Sequence, residues 1–514
     1  MLWKFKKNHL FFTVVIIIVL LSLWNLQLFP IFADEAIYLH WAQRISLRDV
    51  SPFVSMFDGK PPLFVWLSAL LYKFIHNLLL SGRLVSVISL WGGLVILWLK
   101  LKKINSNWAN ISVILIALSP YVLFHSRLAL MDTLLAILLL SAVVLIDNIF
   151  ISGLLLGIAF WVKTPAIFLF PLPILKYFID KAFDWQKTKK IFTKSIFAYF
   201  KNEKKELLKL AIATVIPFII LSLLKFSIWF PNLFSRSEDF TFSTSQVLGG
   251  HISQIIPNLM TLFSWLNIYL GVPILILFIY GLFRGFYQKQ KILIILFISS
   301  LIFSLPFIIF GKVVASRYYL FSAISVILIA TYGLVYLPKK LKYLFLLLII
   351  FFDLNFAKKL IFKPTSLQLS VQDQGQYLGD WSSGIGIASA SQKVRDFAHK
   401  NGDTLLLTEG YFGTLPDGVF VSLNNLKSSD HLEVIGVGNP SSKDFMQKVT
   451  STNRKNIFYL GNQNRIDDRQ RFFMELFAEY PKVSDKYPTL QLYKVDLEKY
   501  YQSEVYKQFF SKES

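Results

Sequence analysis

The 514-residue chain contains no cysteine. Disulfides, zinc–thiolate sites and thiol nucleophiles are therefore excluded, and nothing conflicts with an oxidising outer compartment. Charge is also scarce: Asp, Glu, Lys and Arg make up 16% of the residues, against about 25% in an ordinary soluble chain. Apolar residues fill the deficit, at 54%. They gather in repeated runs of about 17–25 residues, the length that crosses hydrocarbon. The composition describes a polytopic membrane protein and excludes a secreted enzyme, a disordered tail protein and a nucleic-acid binder. The formal charge of +22 does not revive a nucleic-acid partner. Its lysines crowd the short connections between apolar runs, the bias of cytoplasmic loops, so the partner it implies is the lipid bilayer.

Met1–His9 carries Lys4, Lys6 and Lys7 and is expected inside. The apolar run Leu10–Phe32 that follows is longer than the roughly 7–15 residues of a signal-peptide core, and Ile31 stands where a cleavage site needs a small residue. An uncleaved first span is expected. Pro61–Leu80 is ambiguous. Read as a span, it would put Lys100, Lys102 and Lys103 outside. Read as an interfacial helix, it leaves these and the later basic loops Lys176–Lys209, Arg284–Lys291 and Lys339–Lys342 inside, as the positive-inside rule prefers. The spans then run over 10–32, 82–100, 108–124, 130–147, 149–163, 165–177, 208–229, 259–283, 291–310, 318–336 and 342–357. That is about eleven transmembrane helices, N-terminus in and C-terminus out. Trp185, Phe192, Phe197 and Phe200 interleave with the lysines of Lys176–Lys209, a pattern that suits a helix on the anionic inner leaflet.

Beyond residue 357 the texture changes to normal charge density with Gly, Asn, Asp and Ser punctuation. Strand-like runs Thr404–Leu407, Leu432–Val437, Ile457–Leu460 and Leu490–Val495 alternate with helix-like Ser389–Lys400, Ser442–Thr450 and Asp468–Glu479. The expectation is a transmembrane domain over 1–357 and an extracytoplasmic α/β domain over 358–514. Gly410–Gly413 and Gly436–Gly438 are too sparse for a dinucleotide site and read as turns. Trp381 suits an interfacial anchor, with an acceptor contact as the alternative.

Ionisable residues at the edges of membrane segments are costly and seldom accidental. On this register Asp34, Glu35, Asp58, Lys60, Arg83, Arg127, Asp132, Lys163, Arg236, Glu238, Asp239, His251, Lys312 and Arg317 all fall towards the outer face. Carboxylates beside several cations suit a substrate with an anionic phosphate and a hydroxyl to be activated. Each residue also has a plain reading. Asp34 would be the N-cap of a helix over Ala36–Ile45, with Glu35 near its positive end. Lys60 would snorkel to the interface, and Arg127 would pair with Asp132.

Asp34-Glu35 after the first span, followed by Phe57-Asp58-Gly59-Lys60-Pro61-Pro62-Leu63-Phe64-Val65-Trp66, resembles the GT-C membrane glycosyltransferases. The nearest branch is the protein O-mannosyltransferase and lipid A aminoarabinose transferase group. Ser81–Leu84, Ser126–Asp132, the Gly-rich Gly153–Pro165 and Ser316–Tyr319 extend the resemblance, in order, over about residues 5–335. It implies inverting transfer of a monosaccharide from a polyprenyl-phosphate carrier to a protein, glycolipid or envelope-glycan acceptor. The reaction would take place at the outer face of the inner (plasma) membrane. Asp34 matches the base, which takes the acceptor's proton. Lys60 matches the phosphate-contacting lysine, with Lys163 and Arg317 as further phosphate ligands. Glu35, Asp58, Arg83, Arg127 and Asp132 are supporting candidates. No cofactor is expected. The aminoarabinose branch carries a glutamate before its Lys-Pro-Pro where this chain has Gly59, so a metal held by His251 and Asp58 is not expected either. The rival readings are a transporter or flippase of lipid-linked sugars, which calls for mid-membrane charges and repeats that are not seen, and an inactive envelope-assembly scaffold.

Overall fold

The computed structural model describes residues 2–183, 204–424 and 426–509. Trp185, Phe192, Phe197 and Phe200 lie outside the described residues. Contacts divide the chain into a helical unit, built from residues 1–26, 50–67 and 83–362, and a sheet unit, built from 27–49, 68–82 and 363–514. Two early stretches of chain thus belong with the C-terminal region, which the sequence alone does not indicate.

The helices in chain order are α1 (Leu2–Leu23), α2 (Ala33–Leu47), α3 (Leu63–Ile75), α4 (Leu78–Lys102), α5 (Ser106–Leu118), α6 (Pro120–Ser126), α7 (Met131–Val144), α8 (Ile149–Phe160), α9 (Leu172–Phe183), α10 (Lys204–Ser222), α11 (Ile255–Tyr287), α12 (Lys291–Phe310), α13 (Leu320–Tyr336) and α14 (Lys339–Phe362). By length and apolarity, five helices among the described residues are able to cross a membrane, or six if the bent α5–α6 pair counts as one. Four shorter apolar helices accompany them. α3 has 13 residues, about 20 Å at 1.5 Å per residue, short of the roughly 30 Å of hydrocarbon.

Several expected spans are differently built. The first helix stops at Leu23 instead of reaching residue 32. The span expected over 108–124 bends by 60° between α5 and α6. Pro120 has no N–H to continue the ladder, and it holds Ser119 in an extended conformation with ψ 131°. The span expected over 165–177 is a 3-10 turn, Thr164–Leu169, followed by α9. α11 is broken at Gly271, whose φ is +74°.

α13 is buried along most of its length and forms the axis of this unit. It crosses α11 backbone against backbone. A Cβ on Gly333 would fall 2.6 Å from the Leu277 carbonyl oxygen and 2.9 Å from Gly281 Cα. Small residues at a crossing allow this approach where lipid supplies no hydrophobic drive. Gly153 and Gly157 act likewise for α8, facing Ala213 and Ile220 of α10.

The sheet unit carries β1 (Thr404–Thr408), β2 (Leu432–Gly436), β3 (Asn456–Asn462), β4 (Met474–Tyr480) and β5 (Leu490–Val495) in the order β2-β1-β3-β5-β4. β2, β1 and β3 are parallel, and β5 and β4 join antiparallel. The expected helix over Asp468–Glu479 is instead one short turn, Asp468–Arg471, followed by β4. Alternation along the strands feeds two cores. Leu406, Phe458 and Leu492 face α15 (Ile387–Asn401) and α16 (Asp417–Leu423). Leu405, Leu407, Ile457 and Tyr459 face α17 (Lys443–Ser451).

Asn424 fastens the early stretches to this unit. Its backbone sits in the left-handed region at φ +57°. Its carbonyl accepts from Tyr72 Oη at 3.0 Å and Gln43 Nε2 at 3.3 Å, and its Oδ1 accepts the Leu78 N–H at 2.9 Å. Its amide donates to the His76 carbonyl.

Gly333→Val should lower stability by about 2 kcal/mol, because overpacking forces helix backbones apart. The readout is the melting temperature of the detergent-solubilised protein. Gly92→Ala is the control, since a Cβ there meets nothing within 4 Å. Equal melting of the two variants would contradict the close crossing.

Candidate active site

Asp132 is the second residue of α7, in the first turn, where the helix dipole favours an anion. Its side chain is buried, and Lys163 Nζ donates to Oδ1 at 2.6 Å. Arg317 Nε lies 3.9 Å from Oδ2, an ion pair beyond hydrogen-bond length. Both cations also lie over one ring, that of Tyr318: Lys163 at 4.3 Å and Arg317 at 5.3 Å from its centroid. The expected Arg127–Asp132 pair is therefore replaced. Lys163, held at the end of α8 where Pro165 enforces a new turn, reaches the carboxylate instead.

Arg127 turns to the carbonyls at the C-terminal end of α1. It donates to Ser22 and Trp24 at 2.7 Å, to Leu21 at 3.1 Å and to Asn25 at 3.2 Å. Arg83 donates to the next carbonyl, Leu26, at 2.8 Å. Two buried guanidiniums thus meet the orphan carbonyls and negative dipole end of the first helix.

Lys60 follows a 3-10 turn, Val54–Asp58, that closes on Gly59 at φ +73°. A Cβ on Gly59 would also meet the Asn232 carbonyl oxygen at 3.1 Å. A side chain at this position would strain the turn that aims Lys60, which explains glycine before Lys-Pro-Pro in this chain. The Lys60 ammonium lies 5.3 Å from the Phe240 ring centroid, with no carboxylate in ion-pair reach among the described residues. Asp58 pairs with Arg236 at 2.5 Å, and Arg236 also holds Asp239 at 2.9 Å.

Backbone hydrogen bonds join these segments. Leu63 N–H donates to the Trp161 carbonyl at 3.0 Å, tying Lys60-Pro61-Pro62 to the turn that carries Lys163. Lys312 N–H donates to the Phe240 carbonyl at 2.9 Å, tying the ring beneath Lys60 to the segment that leads to Arg317. Tyr121 Oη donates to the Ser316 carbonyl at 2.7 Å, and His125 Nε2 lies 3.1 Å from Ser316 Oγ. Phe240 and His125 thus enter the site's framework although sequence reasoning gave them no role there, and Arg236, expected only among the outer-face charges, enters as the partner of Asp58. Arg236 and Asp58 are far apart in the chain, and a lone histidine in an apolar helix carries no signal of its own. His251 stacks on Phe242 with centroids 4.3 Å apart. Among the described residues no three His, Asp or Glu side chains gather as a metal site needs.

Asp34 and Glu35 belong to the sheet unit. They are the second and third residues of α2, whose N-cap is Phe32 rather than Asp34. Glu35, fully buried, folds back to accept the Phe32 N–H at 3.0 Å, so the capping role falls to it. Asp34 is partly exposed. The segment before it is held by backbone bonds, Ala33 N–H to the Ser382 carbonyl at 3.0 Å and Gly384 N–H to the Ile31 carbonyl at 2.8 Å. Lys482 in turn donates to the Ser383 carbonyl at 2.7 Å. Burial lowers its pKa to about 8, with Glu409 and Asp380 pulling upward.

The model of the dolichyl-phosphate-mannose-protein mannosyltransferase family matches residues 59–200, the stretch that holds Lys60, Arg83, Arg127, Asp132 and Lys163. No curated protein matches the chain by sequence. Among solved structures, apo ArnT from Cupriavidus metallidurans superposes with a TM-score of 0.58 at 12% identity, covering 95% of this chain and 98% of that one. The same enzyme bound to undecaprenyl phosphate gives 0.53 at the same identity and coverage. The archaeal oligosaccharyltransferase AglB from Archaeoglobus fulgidus gives 0.47 at 12% identity, covering 98% of this chain and 78% of that one. The chain has the fold of the GT-C membrane glycosyltransferases, and it is a multi-pass membrane protein.

Lys482 supplies a pH signature for the support of the Asp34 segment. The folded chain binds this proton more weakly than the unfolded chain, whose lysine titrates near 10.5. The buried charge therefore costs stability below about pH 8, and that cost fades as pH rises towards 10.5. Between pH 7 and 10.5 the unfolding free energy of wild type should gain about 3 kcal/mol relative to Lys482→Met. A pH-independent difference between the two would contradict the burial of a charged ammonium here.

Proposed function

We propose that this GT-C chain transfers a monosaccharide from a polyprenyl-phosphate carrier to an acceptor hydroxyl. The acceptor is on a protein, a glycolipid or an envelope glycan. The observation that carries this reading is the gathering of cations in the helical unit: Lys163 and Arg317 both approach the buried Asp132 carboxylate, and Lys60 stands on an aromatic ring without an acidic partner among the described residues. An anion completes such an arrangement, and a phosphate accepts from a guanidinium fork and an ammonium together. The ArnT complex with undecaprenyl phosphate, on the same fold, supports a lipid phosphate as that anion.

The chemistry is one displacement. The acceptor oxygen attacks the anomeric carbon as the bond from that carbon to the phosphate oxygen breaks, and the phosphate leaves with the electron pair. Attack opposite the leaving group inverts the anomeric centre. The leaving phosphate needs no proton; it needs positive charge already in place in a dry site, which Lys60, Lys163 and Arg317 provide. No cofactor enters. The acceptor's proton goes to Asp34 as general base, an assignment that rests on the sequence resemblance at Asp34-Glu35. Asp132 orients the cations, and Arg83 and Arg127 hold the end of α1. The reaction is assigned to the outer face of the inner membrane, with about eleven spans and the C-terminal domain outside, following the lysine distribution.

The test is transfer by the purified protein in lipid, with radiolabelled polyprenyl-phosphate sugars and envelope extract. Asp34→Asn should lower turnover at least about 100-fold with donor binding retained, the scale of a lost general base. Lys60→Ala and Lys163→Met should each raise the donor KM about tenfold or more. Full turnover in Asp34→Asn removes the base assignment, and no transfer by wild type with any donor removes the reading.

A further inference from the structure

The sheet unit contains a pocket lined by none of the residues assigned to the transfer reaction. Its volume is ≈ 140 Å³, and its lining includes Trp381, Glu409, Phe412, Thr414 and Arg465. Its place in the fold is informative. The chain leaves β1 through α16 on one face of the sheet, returns in β2, and passes through α17 on the other face to β3 on the far side of β1. β1 and β3 therefore flank a topological switch point, where a crevice opens at the carboxyl ends of the strands. Glu409 directly follows β1, Asn462 ends β3, and Arg465 closes the turn after it.

The side chains there are prepared for a ligand. Glu409 is 6% exposed, and its carboxylate is fixed by the Asn462 N–H at 2.5 Å, by Asn462 Nδ2 at 2.9 Å and by Arg465 Nε at 3.5 Å. Thr414 is 4% exposed, and its hydroxyl oxygen is buried with no hydrogen-bond partner among the described residues, a cost that rotation of the side chain onto a ligand hydroxyl would remove. Trp381 and Phe412 are 51% and 64% exposed, large apolar rings left uncovered at the rim. Arg465 lies 5.8 Å from the Trp381 ring centroid. One carboxylate and one guanidinium leave the lining with no net charge, so an ion gains little. A donor fork, a carboxylate acceptor, a hydroxyl and aromatic faces within one small pocket match a molecule with an apolar C–H face and a rim of hydroxyls.

We propose that this pocket binds a single neutral saccharide ring, with Trp381 and Phe412 against its C–H face and Glu409, Thr414 and Arg465 at its hydroxyls. The pocket is lined by residues of the sheet unit alone, and its existence does not depend on the transfer reaction.

The test uses the full-length protein in lipid nanodiscs without donor lipid. The probes are the methyl glycosides of glucose, galactose, mannose, N-acetylglucosamine and arabinose, followed by saturation-transfer NMR. At least one glycoside should bind saturably. Trp381→Ala and Phe412→Ala, both at exposed rims and neutral for folding, should each weaken that binding roughly tenfold. Thr414→Val, close in shape, should weaken it as well. Absence of saturable binding by every glycoside overturns the proposal. So does binding that survives Trp381→Ala but disappears in Lys163→Met, which would put the sugar at the phosphate cluster. Displacement of the glycoside by inorganic phosphate with Trp381→Ala inert would make Arg465 an anion site and also overturn it.

Discussion

A carboxylate buried in an apolar helical bundle must be met by positive charge, and Asp132 imposes that requirement on the helical unit. Removing a charge from water costs several kcal/mol unless partners replace the solvent. Lys163 and Arg317 come from elements far apart in sequence and satisfy it together over the Tyr318 ring. Local backbone follows from that demand. α8 ends before Lys163, Pro165 starts a new turn, and α13 is preceded by the Ser316–Tyr319 turn that presents Arg317.

The remaining cations divide by purpose. Arg83 and Arg127 donate to backbone carbonyls at the end of α1, where the first helix stops. Arg236 is consumed by Asp58 and Asp239. Lys60 alone of the motif cations faces an aromatic ring with no carboxylate in reach among the described residues, which makes it the group best placed to respond to a substrate's charge. In the sheet unit the same economy holds on a smaller scale. Asn424 uses its carbonyl and side-chain amide to bind two early stretches, and Glu35 caps the helix on which Asp34 sits.

The membrane class was legible because long apolar runs and lysine-rich connections leave few alternatives. The resemblance to GT-C enzymes was legible in the ordered motifs around Lys60, Asp132, Lys163 and Arg317, and the shared fold agrees with it. Side-chain partners were not. Asp132 pairs with Lys163 rather than with its sequence neighbour Arg127, because partners in a bundle are set by tertiary packing. The breaks at Ser119–Pro120 and Gly271 were hidden by unbroken hydropathy, which senses burial and not backbone geometry. Met474–Tyr480 was read as helix because its apolar spacing is ambiguous; its β partner, Leu490–Val495, decides the conformation.

In the proposed reaction Lys60, Lys163 and Arg317 receive a polyprenyl phosphate. A structure of the protein in lipid nanodiscs with undecaprenyl phosphate tests it directly. Phosphate density is expected within hydrogen-bond distance of the Lys163 ammonium and the Arg317 guanidinium, with Lys60 turned towards it and the Lys163–Asp132 contact retained. Phosphate bound elsewhere on the helical unit, with these three side chains unmoved and out of reach, would contradict it.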